Sequence, residues 1–127
     1  RLLRAWLTKP LVSLEAVRDR LDAVEDLAFR AVERGSLRET LKAVYDVQRL
    51  VARAALGTAG PRDLVALARS LDAVPALAQT LTTLQAPLLA HLATELDDLP
   101  ALRARISGLL ADEPPLLARD GDVIRDG

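Results

Sequence analysis

The chain has 127 residues, with 17 Lys+Arg against 18 Asp+Glu and no cysteine. That size suits one domain with its own core, and the missing thiols exclude a disulfide scaffold, thiolate metal sites and a cysteine nucleophile. Leu and Ala supply 49 residues while Trp6, Phe29 and Tyr45 are the only aromatics, a balance that predicts an all-α protein. Apolar residues reach 50%, yet no unbroken apolar run approaches the roughly 18 to 20 residues of a membrane span. The near-neutral charge conceals an asymmetry: residues 1–62 carry 12 basic and 8 acidic side chains, residues 63–127 carry 5 and 10. Mixed-sign helix faces in water account for this split, and a basic half turned to an acidic partner is the other reading. The start at Arg1, without Met or a signal-like segment, gives the expectation of a piece of a longer cytoplasmic protein.

Leu2 to Leu7 form a short helix candidate, stopped by Lys9-Pro10 because proline cannot continue the backbone ladder. Ser13 stands as an N-cap with Glu15 in the first turn. Leu14, Val17, Leu21, Val24, Ala28 and Ala31 then recur at alternating steps of three and four, the stripe of a long packing helix that Gly35 is expected to end. Ser36-Leu37-Arg38-Glu39 reads as a capping box opening a second long helix. That helix would carry Leu37, Leu41, Val44, Gln48, Val51 and Ala55 on one face and end at Leu56, with Gly57 as C′. The link to Pro61, suited to a first helical turn, is short, so the two long helices are expected to form an antiparallel hairpin.

Beyond Pro61 the elements shorten. Leu64, Leu67, Leu71 and Val74 make a stripe that Pro75 kinks or restarts. The phrase Leu71 to Leu77 is echoed by Leu96 to Leu102, but two copies of a helix-break-helix phrase do not make a solenoid. At Asp112-Glu113-Pro114-Pro115 the character changes, and Asp120-Gly121 within Leu116 to Arg125 predicts a short hairpin or extended loop. The expected architecture is thus a helical bundle, a long hairpin followed by shorter helices over residues 1–111, with a loop or short hairpin over 112–127.

Little here is chemical. There is no glycine loop ending in Lys-Ser/Thr, no paired-histidine zinc helix and no nucleophile elbow. His91 is the only histidine, which rules out a multi-histidine metal site, and its helical setting gives it a structural role. Asp97-Asp98 and Asp112-Glu113 are adjacent carboxylates, yet helix neighbours diverge by about 100°, so they read as helix termini or solvated turns. No catalytic, cofactor-binding or metal-ligating residue is assigned. Asp46, Arg49 and Arg53, spaced i, i+3 and i+7, share a face and are expected to organise packing.

Several phrases in order resemble the core or lever domain, domain III, of MutS-family DNA mismatch-repair proteins. They are Arg1-Leu2-Leu3-Arg4-Ala5-Trp6-Leu7 with Pro10-Leu11, then Arg20-Leu21-Asp22-Ala23-Val24-Glu25. The most specific runs Asp46-Val47-Gln48-Arg49-Leu50-Val51-Ala52-Arg53, on to Gly57 and Pro61-Arg62-Asp63-Leu64. Trp6, Asp46, Arg49, Arg53, Gly57 and Pro61 are the structural positions of this motif set. Gln48 departs from it, standing where the family phrase has an acidic residue. The resemblance implies a lever that couples mismatch and DNA binding, and the clamp, to the ATPase, with no catalytic site and no cofactor of its own. It places ATP and Mg in a later domain, the mismatch-wedging aromatic in an earlier one, and the loop over 112–127 on the way to a clamp arm. It also implies mismatched duplex DNA, a parent homodimer and a MutL-type protein as partners, and a cytoplasmic, nucleoid-associated location. If helices from beyond the chain complete the bundle, part of the stripe between residues 14 and 56 is left uncovered, and the chain alone is expected to self-associate. The alternatives from the residues alone are a helical adaptor that takes a protein partner in an apolar groove, and a lipid-surface helix protein, for which only Trp6 speaks.

Overall fold

The computed structural model describes residues 2–115 and 121–125. Among them are eight helices: α1 Leu2–Thr8, α2 Leu14–Phe29, α3 Ala31–Leu41, α4 Val47–Ala55, α5 Pro61–Asp72, α6 Val74–Thr82, α7 Pro87–Glu95 and α8 Pro100–Leu109. The all-α bundle predicted by the composition is what the chain forms. Prolines at the first or second position open α5, α6, α7 and α8, where the missing N–H leaves no hydrogen bond unmade.

Two packed clusters make the core. In the first, Ala23 of α2, Leu37 of α3, Leu77 of α6 and Leu89 of α7 enclose Leu84 and Ala86 of the α6–α7 link. In the second, Leu50 of α4, Leu67, Ala68 and Leu71 of α5 and Ile106 of α8 pack together. α5 and α6 belong to different clusters and follow one another with only Ala73 between them, still in right-handed helical conformation. Pro75, lacking an N–H and crowding the Leu71 carbonyl, explains the interruption. Taken as one, Pro61–Thr82 is 22 residues with a mean hydropathy of 1.2 over its best window. By length and composition alone this segment could cross a membrane, but Arg62, Asp63, Arg69 and Asp72 interrupt it, so it holds no unbroken apolar run of that length. Its apolarity has a local cause, because Leu67, Leu71 and Leu77 are core residues of the two clusters.

The first half differs from the expected long hairpin. Ser13 does cap α2, its hydroxyl accepting the Ala16 N–H at 3.3 Å. The helix ends at Arg30 (φ −100°, ψ 76°) rather than at Gly35, which lies inside α3. The reason is side-chain capping. The Arg34 guanidinium donates to the Leu27 and Ala28 carbonyls, both at 2.7 Å, supplying partners that the broken ladder withdraws. Ser36 and Glu39 form no capping box: the Ser36 carbonyl accepts from the Thr40 hydroxyl, and Glu39 pairs with Lys42. The expected second helix is in fact α3 and α4, separated by Lys42–Asp46, so that Leu37 serves the first cluster and Leu50 the second. α2 packs on α3 and α7, and α4 packs on α5, so the antiparallel hairpin of two long helices is not formed. The expected stripe is turned outward as well. Ala23 and Leu27 of α2 face the core, whereas Leu14 (64%), Leu21 (62%) and Val24 (64%) remain exposed.

At the C-terminal end Leu110 and Ile124 form an isolated antiparallel bridge. The Ala111 N–H donates to the Val123 carbonyl and the Arg125 N–H to the Leu109 carbonyl, both at 3.0 Å. Gly121 has φ +82°; the expected Asp120-Gly121 turn falls partly on Leu116–Asp120, outside the described residues.

Candidate functional site

Three of the six motif residues, Arg53, Gly57 and Pro61, meet at the junction of α4 and α5, while Asp46 and Arg49 lie at the start of α4. The Asp46 carboxylate caps α4 by accepting the Arg49 N–H at 3.0 Å, and the Arg49 side chain is exposed. At the other end of α4, Gly57 takes φ +67°. The Thr58 N–H reaches the Arg53 carbonyl at 2.9 Å and the Gly57 N–H reaches that of Ala54 at 3.0 Å, a complete Schellman ending. Pro61 is buried at the first position of α5, and the Asp63 carboxylate accepts the Gly60 N–H at 2.9 Å. Arg53 closes the junction: its Nε lies 2.9 Å from Asp63 Oδ2 and its Nη2 donates to the Thr58 carbonyl at 3.0 Å. Trp6 stands apart on α1, its ring covered by the Arg20 guanidinium of α2 at 4.3 Å, a cation–π contact worth roughly 0.5–1 kcal/mol at such exposure.

Three further residues fix the elements without any local signal in the sequence. Ser70 is 1% exposed. Its hydroxyl donates to the Ala66 carbonyl at 2.8 Å and accepts the Tyr45 N–H at 3.0 Å, pinning the α3–α4 link to α5. Arg62 and Arg69 donate to the Pro114 and Asp112 carbonyls at 2.9 and 3.0 Å. Their partners lie tens of residues away, beyond the reach of spacing rules.

The polar groups otherwise serve structure. Asp97 accepts the Leu99 N–H at 2.9 Å where the chain turns left-handed before α8. Asp98 and Asp72 flank Arg103 at 2.9 and 3.2 Å. His91 is exposed and pairs with Glu95 one turn on. Among the described residues no three metal-ligating side chains gather. A cavity of about 370 Å³ lies beside Tyr45, but the Arg62 and Arg69 guanidinium groups on its wall already hold backbone carbonyls. An apolar groove of about 530 Å³ runs between α4, α5 and α8, walled by Val51, Leu64, Leu102, Leu109 and Ile124. Among the described residues the arrangement joins helices.

Comparison with known proteins gives the family. Residues 1–126 match the family model described as MutS domain III. The chain is 45% identical over 127 residues to a DNA mismatch repair protein MutS of Synechococcus elongatus and 44% identical over 132 residues to one of Methanothrix thermoacetophila. A third such protein, from Leuconostoc mesenteroides, is 42% identical over 127 residues. All of this chain is covered in each case, but it spans only 14–15% of the length of these relatives.

Proposed function

On the premise that the chain belongs to the MutS family, as its domain III, we propose that it is the lever of a DNA mismatch-repair protein. It transmits conformational change between the parts that hold mismatched DNA, including the clamp, and the part that hydrolyses ATP, and it performs no chemistry itself. The observation that carries this reading is the pair of core clusters strung on the successive helices α5 and α6, with Ser70 holding the α3–α4 link to α5. Packed clusters joined by short helical links supply discrete arrangements between which coupling can pass. By this reading the chain needs no cofactor; ATP and Mg are bound elsewhere in the longer protein. That protein acts as a dimer on mismatched duplex, with a MutL-type partner, in the cytoplasm at the nucleoid. The groove between α4, α5 and α8 is where an adaptor reading would seat a partner, but the family match across the chain favours the lever.

The test uses the longer protein. Ser70→Ala and Arg53→Ala loosen the joints without touching DNA or nucleotide in this reading. The expected result is unchanged basal ATP turnover and duplex affinity, with a smaller response of turnover to a mismatch. Equal loss of all three quantities, or ATP hydrolysis by the 127-residue chain alone, defeats the proposal.

A further inference from the structure

The two core clusters divide the helices between two bodies. α2, α3, α6 and α7 surround the first cluster, and α4, α5 and α8 the second. Among the described residues, consecutive α5 and α6 make the only substantial helix-to-helix contact between the bodies. The chain crosses from one body to the other three times. It does so at residues 42–46, where Val44 packs on the first cluster and Val47 on the second, at Ala73, and at residues 96–99. Side chains lace these crossings together. Ser70, one turn before Ala73, accepts the Tyr45 N–H at 3.0 Å. Arg103 of α8 reaches Asp72, the last residue of α5, at 3.2 Å and Asp98 of the third crossing at 2.9 Å. The three crossings therefore lie side by side, the layout of a hinge line. The third is also strained. Leu99 is left-handed, at φ 44° and ψ 60°, which a Cβ disfavours, and Pro100 pushes the residue before it toward extended backbone. Leu99 belongs to neither cluster and is half-exposed. What holds it left-handed is the Asp97 carboxylate, accepting its N–H at 2.9 Å, and the Arg103–Asp98 pair alongside.

We propose that α4, α5 and α8 swing as one body against α2, α3, α6 and α7 about the line through Tyr45, Ala73 and Leu99, with Arg103 as the clasp that sets the angle. With Asp72 and Asp98 both held, Leu99 is kept left-handed and the bodies keep the arrangement described above. With Arg103 released from Asp98, Leu99 relaxes to the extended conformation favoured before proline, and α8 carries α5 and α4 to a second angle. The strain of a left-handed leucine and the worth of a half-exposed ion pair are of the same order. The two arrangements therefore differ in population by no more than about tenfold. This inference rests on the lever reading and names its moving joint.

The 127-residue chain has no cysteine, so nitroxides on Arg38→Cys of α3 and Ser107→Cys of α8, both exposed positions, report the distance between the bodies by pulsed electron resonance. Labels on Arg38→Cys and Thr94→Cys, both within the first body, are the control. The expected result is two Arg38–Ser107 distances, which Arg103→Gln shifts roughly two- to fivefold toward the released one. Leu99→Val, whose β-branch resists a left-handed backbone, shifts the ratio the same way with the clasp intact. Leu99→Asn, which tolerates that backbone, shifts it toward the held distance. The control distance stays unchanged throughout. The two Leu99 variants read the same equilibrium should Arg103→Gln fail to fold. A single Arg38–Ser107 distance in every variant overturns the hinge, as does a control distance that broadens alongside it, or a shift of the same sign for valine and asparagine. These outcomes are read without DNA or nucleotide, so they are distinct from failure of the lever reading, which shows in the longer protein's response to a mismatch.

Discussion

Asp26, on α2, caps α7 from across the bundle: its Oδ2 accepts the Ala86 N–H at 2.8 Å and the Gln85 N–H at 2.6 Å. These amides precede Pro87, at the start of a helix whose own N-cap, Ala86, offers no side-chain acceptor. The other carboxylate oxygen takes the Arg30 Nε at 2.9 Å. One side chain therefore serves the end of α2, the break before α3 and the start of α7.

The same contacts make Asp26 an acid sensor of the first cluster. The Ala86 amide, then the Gln85 amide and Arg30, hold its carboxyl below the ordinary aspartate value, against the opposing effect of desolvation. A carboxyl with a lowered folded-state pKa binds its proton more weakly in the folded chain than in the unfolded one. Its stabilisation is complete above the unfolded value of about 3.9 and is lost as pH falls through the lower folded value. Thermal melts through that acid window should therefore show a steeper loss of midpoint for the native chain than for Asp26→Asn. Parallel curves would assign the acid sensitivity to other carboxylates.

Ser70→Ala should cost about 1–3 kcal/mol. The substitution removes the acceptor of the Tyr45 N–H in a partly buried link, and an orphaned donor costs its full desolvation. Urea unfolding gives the value directly. A loss under about 0.5 kcal/mol would mean that water reaches Tyr45 in place of the hydroxyl.

The difference between what the sequence tells and what it conceals follows from range. The α4–α5 link was legible because every determinant is local: Gly57 supplies the left-handed turn, Pro61 opens the next helix, and both sit within a few residues of the groups they serve. The end of α2 was misread because Gly35 is a generic stop signal, while the actual capping group is the Arg34 side chain folding back on Leu27 and Ala28. The face of α2 was misread because periodicity marks an apolar stripe without saying what covers it. The core takes Ala23 and Leu27 instead, where α7 lies alongside. Of the motif positions, Asp46, Gly57 and Pro61 act through neighbouring backbone, whereas Arg53 also needs Asp63 on the next helix.

Arg53→Ala should lower stability by about 0.5–1 kcal/mol. The Arg53–Asp63 pair is partly solvated, with side-chain exposures of 44% and 21%, so screening keeps its contribution near that of a surface pair. Arg53→Lys should recover only part of the loss, because an ammonium lacks the planar fork that spans the Asp63 carboxylate and the Thr58 carbonyl. The Arg53 contribution should shrink in high salt. Chemical denaturation in urea at two ionic strengths checks both statements, and a full rescue by lysine would show that charge alone matters here.

Two glycines should respond to alanine in opposite directions. Gly35 lies within α3, and a Cβ built there meets nothing within 4 Å. Alanine at that position keeps a helical conformation and narrows the unfolded ensemble, so Gly35→Ala should stabilise by about 0.5–1 kcal/mol. Gly57 is as open to solvent, but its φ of +67° is a left-handed conformation that a Cβ disfavours. Gly57→Ala should therefore destabilise by roughly 1–2 kcal/mol despite the free space around it. Space is the same at both sites and backbone geometry differs, so the pair isolates conformation from packing. Matched urea titrations of the two variants decide the point. If Gly35→Ala destabilises, the chain breaks at Gly35 as its sequence first suggests, and α3 does not run continuously from Ala31 to Leu41.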